Sequence, residues 1–427
     1  MTGAAPESLV GVSSAESARR LPAAWRRVPL GEACSINPRR PSDLSRPAEA
    51  LTTFVPLSAV DERLGIIARP ELRRFEDLQR GYTYFQTGDV LFAKITPCMQ
   101  NGKHAVARDL IDGIGLASTE FHVVRSGAEI IPEWIHYFIR QPSTLAAAER
   151  AFTGTAGQQR VPPQFMEQLE IPLPPVHEQK RIVVVLHEQM SEAERARAAA
   201  EAQLDAANLL STACLRAAFD GPEAKSWPVR ALGEISHIVS GLALGRRLPN
   251  GLARKIPYIT VANVKGGYLD LSEVRLMEAT QIEIDKCTLK IGDIILTEGG
   301  DPDKLGRGTV WGGELPECIH QNHIFRVRFA YDGPLSTFVA AQIGSSYGKR
   351  YFFSHAKRTT GIATINRRVL SHFPLLLPSR ERQRQITDDF RSATEKYAAI
   401  AASLQGQLAA INALPAALLR CAFRGEL

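Results

Sequence analysis

Cysteine is scarce and scattered in this sequence: six residues, at 34, 98, 214, 287, 318 and 421, form no CxxC pair and no dense framework. That excludes a disulfide-built scaffold and reads as reduced thiols in a cytoplasm. Long apolar runs are missing as well. Ile182 to Leu186 is a typical maximum, far short of the roughly 18 residues a membrane span needs, so no membrane partner is expected. The first 20 residues are small, polar and rich in Ala and Ser without a continuous apolar core, which predicts a flexible tail over 1–22 rather than a signal peptide. Neither sign of charge dominates. The net charge is +6 and the isoelectric point about 9.0, which favours a polyanionic partner only weakly and is equally served by solubility. Hydrophobic and charged contents of 44% and 22% are those of an ordinary water-soluble protein, and 427 residues suffice for two or three domains with their own cores.

What is present is present twice. Gly88-Asp89-Val90-Leu91 returns as Gly292-Asp293-Ile294-Ile295, and the run from Phe54 to Val60 returns as Tyr258 to Val264. Ile171-Pro172-Leu173-Pro174 returns as Leu375-Leu376-Leu377-Pro378, Gln179 and Ile182 as Gln383 and Ile386, and Leu215 to Gly221 as Leu419 to Gly425, every pair 204 residues apart. Trp25 with Leu30-Gly31-Glu32 returns as Trp227 with Leu232-Gly233-Glu234 at an offset of 202. Within each repeat, short β-branched runs bounded by Gly, Asn and Pro predict strands, including one near Phe121 to Arg125 and its copy near Ile324 to Arg328. A helix is expected near Pro132 to Arg140 and again near Leu335 to Ile343, and each unit closes on a proline-flanked strand. Two similar units suit a partner that is itself roughly two-fold, and duplex DNA is the commonest of these.

Between and after the units lie two arms. From Val176 to Phe219 there is neither Pro nor Gly, which predicts one helix of about 44 residues, roughly 65 Å long. The second arm, Arg380 to Phe423, carries Ile386, Phe390, Ala393, Tyr397, Ile400, Leu404, Gln407, Ile411, Leu414 and Leu418 at alternating steps of four and three. That is the 3.5-residue period of a coiled coil. The same offsets in the first arm give Ile182, Leu186, Gln189, Ala193, Ala196, Ala200, Gln203, Ala207, Leu210 and Cys214, where small residues dominate. An antiparallel pairing of the arms would bury both seams, with Pro415 expected to kink the second helix or split it in two. The expected architecture is therefore α+β, two tandem domains of mixed strands and short helices with two long helices in an antiparallel coiled coil and an internal pseudo-two-fold repeat. The expected boundaries are 23–175 and 223–378 for the domains, 176–222 and 379–427 for the arms.

This ordered set resembles the specificity subunit of type I restriction-modification enzymes. The resemblance rests on Leu173-Pro174-Pro175-Val176-His177-Glu178-Gln179 with Ile182, on the helix ends Ala218-Phe219-Asp220-Gly221 and Ala422-Phe423-Arg424-Gly425-Glu426-Leu427, and on the Gly-Asp turns and Trp…Leu-Gly-Glu openings. It covers about residues 23 to 427. The second junction departs from it, with one proline fewer and Arg382 where Glu is usual. The resemblance implies that each unit is a target-recognition domain reading one half of a split double-stranded DNA site, and that the helices set the spacer and dock two adenine-methyltransferase subunits. It also implies a motor-nuclease subunit in the complex. S-adenosylmethionine, ATP and Mg are then expected on those partners, with no cofactor on this chain, which is non-catalytic.

A search for chemistry agrees. No Asp/Asn-Pro-Pro-aromatic segment and no P-loop occurs. Phe152 to Gly157 lacks the context of a cofactor turn; Gly344-Ser345-Ser346-Tyr347-Gly348 matches GxSxG but follows a helix and reads as its glycine stop. Cys318, His320 and His323 are three ligands at an odd spacing with no counterpart in the first repeat, and Glu223-Ala224-Lys225 falls in the linker.

Base reading needs donors and acceptors on loops, with cations for phosphate. In the first unit the loop after the Gly-Asp strand offers Lys94, Thr96, Gln100, Asn101, Lys103 and His104. The loop before its closing strand offers Thr153, Thr155, Gln158, Gln159 and Arg160. The second unit offers Thr297, Glu298, Asp301, Asp303, Lys304 and Arg307, then Lys357, Arg358, Thr359, Thr360, Thr364, Asn366 and Arg367. The loops of the two units are unlike, as two different half-sites require. Rival readings are an adenine-methyltransferase complex without a nuclease, a coiled-coil scaffold for proteins, and a duplicated enzyme, the last disfavoured because no candidate catalytic set occurs in both copies.

Overall fold

The computed structural model describes residues 21–155, 157–248, 252–300, 305–359 and 362–427, the side chains of Ser211, Arg358, Thr359 and Ile362 excepted. Contacts gather these into two compact units, one formed by the residues up to Ala199 with Gln407–Leu427, the other by Ala200–Gly406. The content is mixed α and β.

In the first unit the opening strand Arg26–Pro29 lies antiparallel to the closing strand Glu170–Leu173, so the two ends of the repeat are stitched together. Between them an antiparallel sheet runs in the order Cys34–Ile36, Phe121–Ser126, Val90–Ala93, His104–Val106. A second sheet has the order Glu71–Arg74, Leu51–Val55, Ile114–Ala117, Thr83–Gln86, its middle pair parallel. The core joins Val90, Phe92, Trp134 and Ile139 to Ile182 and Leu186 of the first arm and to Leu419, Ala422 and Phe423 from the end of the second. The Phe423 ring sits 4.3 Å from Trp134 and 5.2 Å from Phe138, and burying such a side chain contributes about 1.5–3 kcal/mol.

The second unit repeats the plan. Val229–Ala231 pairs with Pro374–Leu376, and the main sheet runs Ser236–Ser240, Ile324–Phe329, Ile294–Thr297, Gly308–Val310. A second sheet has three strands, Arg275–Thr280, Ala253–Ile259 and Ile319–His320, the last two parallel, and a third small one runs Gly299–Gly300, Ile362–Thr364, Lys357–Thr359. The helix Gln281–Cys287 follows Arg275–Thr280, held by a capping box in which Thr280 and Glu283 satisfy each other's backbone amides. Here the core takes Leu215 and Phe219 from the end of the first arm, together with Ile386.

Both Gly-Asp turns are built alike. Gly88 and Gly292 each adopt φ of 89°, a left-handed conformation that only glycine enters freely. Asp89 and Asp293 are buried and each accepts two bonds from an arginine, Arg125 at 2.8 and 2.7 Å and Arg328 at 2.6 and 2.6 Å. Each carboxylate also takes a backbone amide, of Gln86 or Lys290.

The two arms are helices of 45 residues each, Val176–Asp220 and Arg380–Arg424. The junction glutamines explain themselves. Gln179 accepts from the Ile131 amide and donates to the Glu129 and Pro174 carbonyls, clamping the start of helix Pro132–Ile139. Gln383 accepts from the Leu335 amide and donates to Pro378, doing the same for helix Ser336–Gly344. Arg382, the departure from the family pattern, pairs with Glu223 at 2.7 Å, whereas Glu178 at the matching place pairs with Arg181 at 2.9 Å.

Two expectations need correction and a third is narrowed. Along the first arm Ala193, Ala200 and Ala207 are buried, but Gln189, Ala196, Gln203 and Leu210 are exposed, and the residues three before each buried alanine, Met190, Arg197 and Leu204, are half-buried. In the second arm Ile400, Gln407 and Leu414 are exposed, while Ala401, Leu408 and Pro415 are half-buried. A seam can step four-then-three or three-then-four from the same heptad position; larger side chains decide, and Met190 and Leu204 outweigh Gln189 and Gln203. Of the two outcomes expected at Pro415, a kink or a split, the split does not occur: the helix continues through it, although its imide cannot donate to the preceding turn. Finally, a window of helix Arg380–Arg424 reaches a mean hydropathy of 1.2, apolar enough to cross a membrane by length and composition alone. Its alanines raise the mean without any uninterrupted apolar run, and only 17% of the window is buried.

Candidate nucleic-acid interface

In the first unit the two predicted loops are zipped into one surface. The Lys94 amide donates to the Glu120 carbonyl and the Lys94 carbonyl accepts from Val161, both at 2.9 Å, while the Thr96 amide donates to Gln159 at 3.0 Å. Arg160 bridges Ile95 on one side and Thr153 on the other. On this ladder Arg160 grips Glu120 through Nε at 2.8 Å and Nη2 at 2.7 Å, and Nη1 donates to the Gln158 carbonyl at 3.0 Å. That bond to Arg160 holds the Glu120 carboxyl below its ordinary value. Burial pushes the Lys94 ammonium below its own; Glu120 opposes this and Arg160 adds to it. The Thr96 hydroxyl donates to Gln100, which in turn donates to Glu149. Gln100, Asn101, Thr155 and Gln158 are exposed, and Lys94, Thr96, Gln159 and Arg160 are half-buried.

Lys103 and His104 belong elsewhere. Lys103 Nζ donates to the Leu57 and Val60 carbonyls and lies 3.7 Å from Glu62, so its ammonium is engaged in holding the Leu57–Glu62 segment. His104 is fully buried and stacked on Phe92 at 4.3 Å.

The second unit builds the same ladder from other side chains. The Glu298 amide donates to His323 at 2.9 Å, and the Glu298 carbonyl accepts from Ile365 at 2.8 Å. Gly299 pairs with Thr364 and Lys357 pairs with Thr364, where Ile95, Thr153 and Arg160 pair in the first unit. Position for position, Lys94 corresponds to Glu298, Arg160 to Thr364, and Glu120 to His323. Glu298 accepts from His323 Nδ1 at 2.8 Å.

The remaining candidates divide. Lys357, Thr364 and Arg367 are exposed. Thr297 is buried, its hydroxyl on the Arg307 carbonyl, and so serves the frame. The Arg307 carbonyl also accepts the Thr297 amide. Asn366 caps the helix Arg367–Ser371 by accepting from the Val369 amide at 2.9 Å. Arg358 is placed only by its backbone, opposite Ala363. Lys304, with Asp301, Asp303 and Thr360, lies outside the described residues, as does Ala156. Sequence reasoning missed Glu120 and weighed His323 only as a metal ligand. The available signal was their shared place, one residue before the strands Phe121–Ser126 and Ile324–Phe329.

The sites considered for chemistry have other tasks. Ser345 is buried and caps helix Ser346–His355, accepting from Gly348 and donating to Gln342. Glu223 is engaged by Arg382. His320 is buried, bonded to the Ile324 carbonyl and depressed by burial to about 4, whereas exposed His323 faces Glu298. Among the described residues no group of three or more His, Cys, Asp or Glu is placed to hold a metal ion.

No family model matches the chain. It is 35% identical over 181 residues to the type I restriction enzyme EcoAI specificity subunit of Escherichia coli, a match taking in 42% of this chain and 30% of that protein. It is 24% identical over 284 residues to the EcoKI specificity subunit of Escherichia coli K12, covering 62% of this chain and 60% of the relative. In fold it matches a chain of a type I R-M system, from a structure concerned with complex assembly and conformational transition, with a TM-score of 0.74, 23% identity and coverage of 96% and 100%. The HsdS subunit from Thermoanaerobacter tengcongensis matches with a TM-score of 0.63, 22% identity and coverage of 96% and 99%. The proteins this chain matches in sequence and those it matches in fold are thus of one kind, the specificity subunits of type I restriction enzymes, and its mixed α and β fold with a long helix is theirs.

Proposed function

We propose that this chain is the non-catalytic DNA-specificity subunit of a type I restriction-modification system. Each unit is a target-recognition domain that reads one half of a bipartite site in double-stranded DNA. The observation that carries this reading is a duplicated frame bearing unlike heads: the Gly-Asp turns, buried ion pairs and glutamine clamps recur, and the ladder side chains do not. The arms pair antiparallel as a coiled coil and set the spacer between the half-sites; the entry of each arm's far end into the core of the other repeat supports this. The same arms dock two adenine-methyltransferase subunits, and a motor-nuclease subunit completes the assembly in the cytoplasm. S-adenosylmethionine, ATP and Mg act on those partners.

Sequencing of methylated adenines in cells with and without the gene tests the reading. A split motif that disappears with the gene supports it; an unchanged set of methylated sites overturns it. Purified chain with a methyltransferase partner should also bind duplex DNA with an affinity that falls steeply with salt, which a protein-binding scaffold would not show.

A further inference from the structure

The two ladders share a backbone and differ in the polarity of their side chains. In the first, the residue leaving the central strand is the cation Lys94 and the facing residue is the carboxylate Glu120; in the second, the residue leaving the strand is the carboxylate Glu298 and the facing residue is His323. A third place holds Arg160 in one and Thr364 in the other. Arg160 has five N–H donors, of which three are engaged, two by Glu120 and one by Gln158. One donor remains on each terminal nitrogen, held in a fixed plane on a side chain 41% exposed. That fork matches the O6 and N7 acceptors of guanine. Glu298 offers the reverse. One carboxylate oxygen bonds His323 at 2.8 Å, and a carboxylate offers acceptors only, which suits the amino group of cytosine or adenine and repels the acceptor edge of guanine.

We infer that the two heads read opposite hydrogen-bond faces: the first half-site contains a guanine held by Arg160, and the second contains a base with an exposed major-groove amino group held by Glu298. The specificity of each half is set by the same three places, 94, 120 and 160 in the first unit and 298, 323 and 364 in the second. Glu120 and His323 are positioning residues that orient the reading side chain. This rests on the DNA-reading role proposed above.

The test is selection of bound sequences from a randomised duplex pool by the full chain with its methyltransferase partner. Arg160→Met is expected to relax one guanine in the first half by roughly 5- to 150-fold and to leave the second half untouched. Glu298→Met, which removes both acceptor oxygens, should weaken only the amino-bearing base of the second half, and the triple change Glu298→Lys, His323→Glu, Thr364→Arg should install a guanine there. An unchanged second half in both of these variants overturns the inference, as does a shift of both halves together. Should the triple variant melt early, Glu298→Met, close in size to glutamate but without its acceptors, decides alone. A wild-type chain that enriches no sequence at all would instead overturn the DNA-reading role itself, so the two failures are told apart.

Discussion

A few residues separate the most alike and the least alike parts of the two units. Asp89–Arg125 and Asp293–Arg328 are near duplicates, with the same turn, the same two-point grip and a carboxylate 1% exposed in each. Five residues after each aspartate, Lys94 in the first unit has Glu298 at the same place in the second, and on the facing segment Arg160 has Thr364. The difference lies in what each side chain must satisfy. A buried carboxylate without its partner is a large penalty, so both copies keep the pair. The ladder is held by backbone bonds that any residue can make, so its side chains are free to diverge and to acquire opposite polarity.

That contrast can be broken directly. Replacing Arg125 or Arg328 by Met strands a buried carboxylate and should cost about 3–5 kcal/mol in either unit. Chemical denaturation of the full chain, with hydrogen exchange to locate the loss, is expected to show two comparable penalties, each confined to its own unit. A penalty in only one unit would mean that the frames are not equivalent.

Buried histidines supply the next contrast. The first unit holds His104, His122 and His136 in its interior, and burial lowers all three, His122 to about 4, His136 to about 3 and His104 well below its ordinary value. The second unit holds His320, lowered to about 4. A histidine kept neutral by the fold but protonated when unfolded contributes its stability above pH 6.5 and loses it as the pH falls, because the unfolded chain takes up the proton first. The slope is about 1.4 kcal/mol per pH unit for each such group. Between pH 6.5 and pH 4 the first unit should therefore lose stability up to three times as steeply as the second. Hydrogen exchange across that range checks it; equal slopes would show that the second unit carries compensating groups.

These contrasts also mark what could be read without a structure. The 204-residue echo was legible because Gly-Asp turns, prolines and junction glutamines are dictated by backbone needs that repeat wherever the frame repeats. Gln179 and Gln383 are in the echo because each must satisfy a helix-start amide. The ladder was legible only as two separate loops, since nothing in the sequence says that Thr96 will bond Gln159, or that Glu120 will rise beside Arg160. Those contacts bring together residues far apart in the chain. Where the two copies differ in their elements, the sequence was weaker still: after its outer strand the second unit makes the capped α-helix Gln281–Cys287, while the first makes only the short 3-10 helix Phe75–Leu78 and then the edge strand Thr83–Gln86.

The arms offer the finest contrast, between adjacent residues of one helix. The 3.5-residue spacing places Ala193, Ala200 and Ala207 correctly but leaves open whether the intervening contacts fall at Gln189 or at Met190. Met190 packs on the first unit's core and Gln189 is exposed. A half-buried methionine should lose about 1–2 kcal/mol on truncation, less than the 2–5 kcal/mol of a fully buried one. Met190→Ala is accordingly expected to lower stability by that amount, and Gln189→Ala to change it by no more than about 0.5 kcal/mol. Denaturant melts of the two variants measure the difference. A reversal would return the seam to the three-then-four order, and equal small effects would mean that this stretch of the arm is held by its alanines alone.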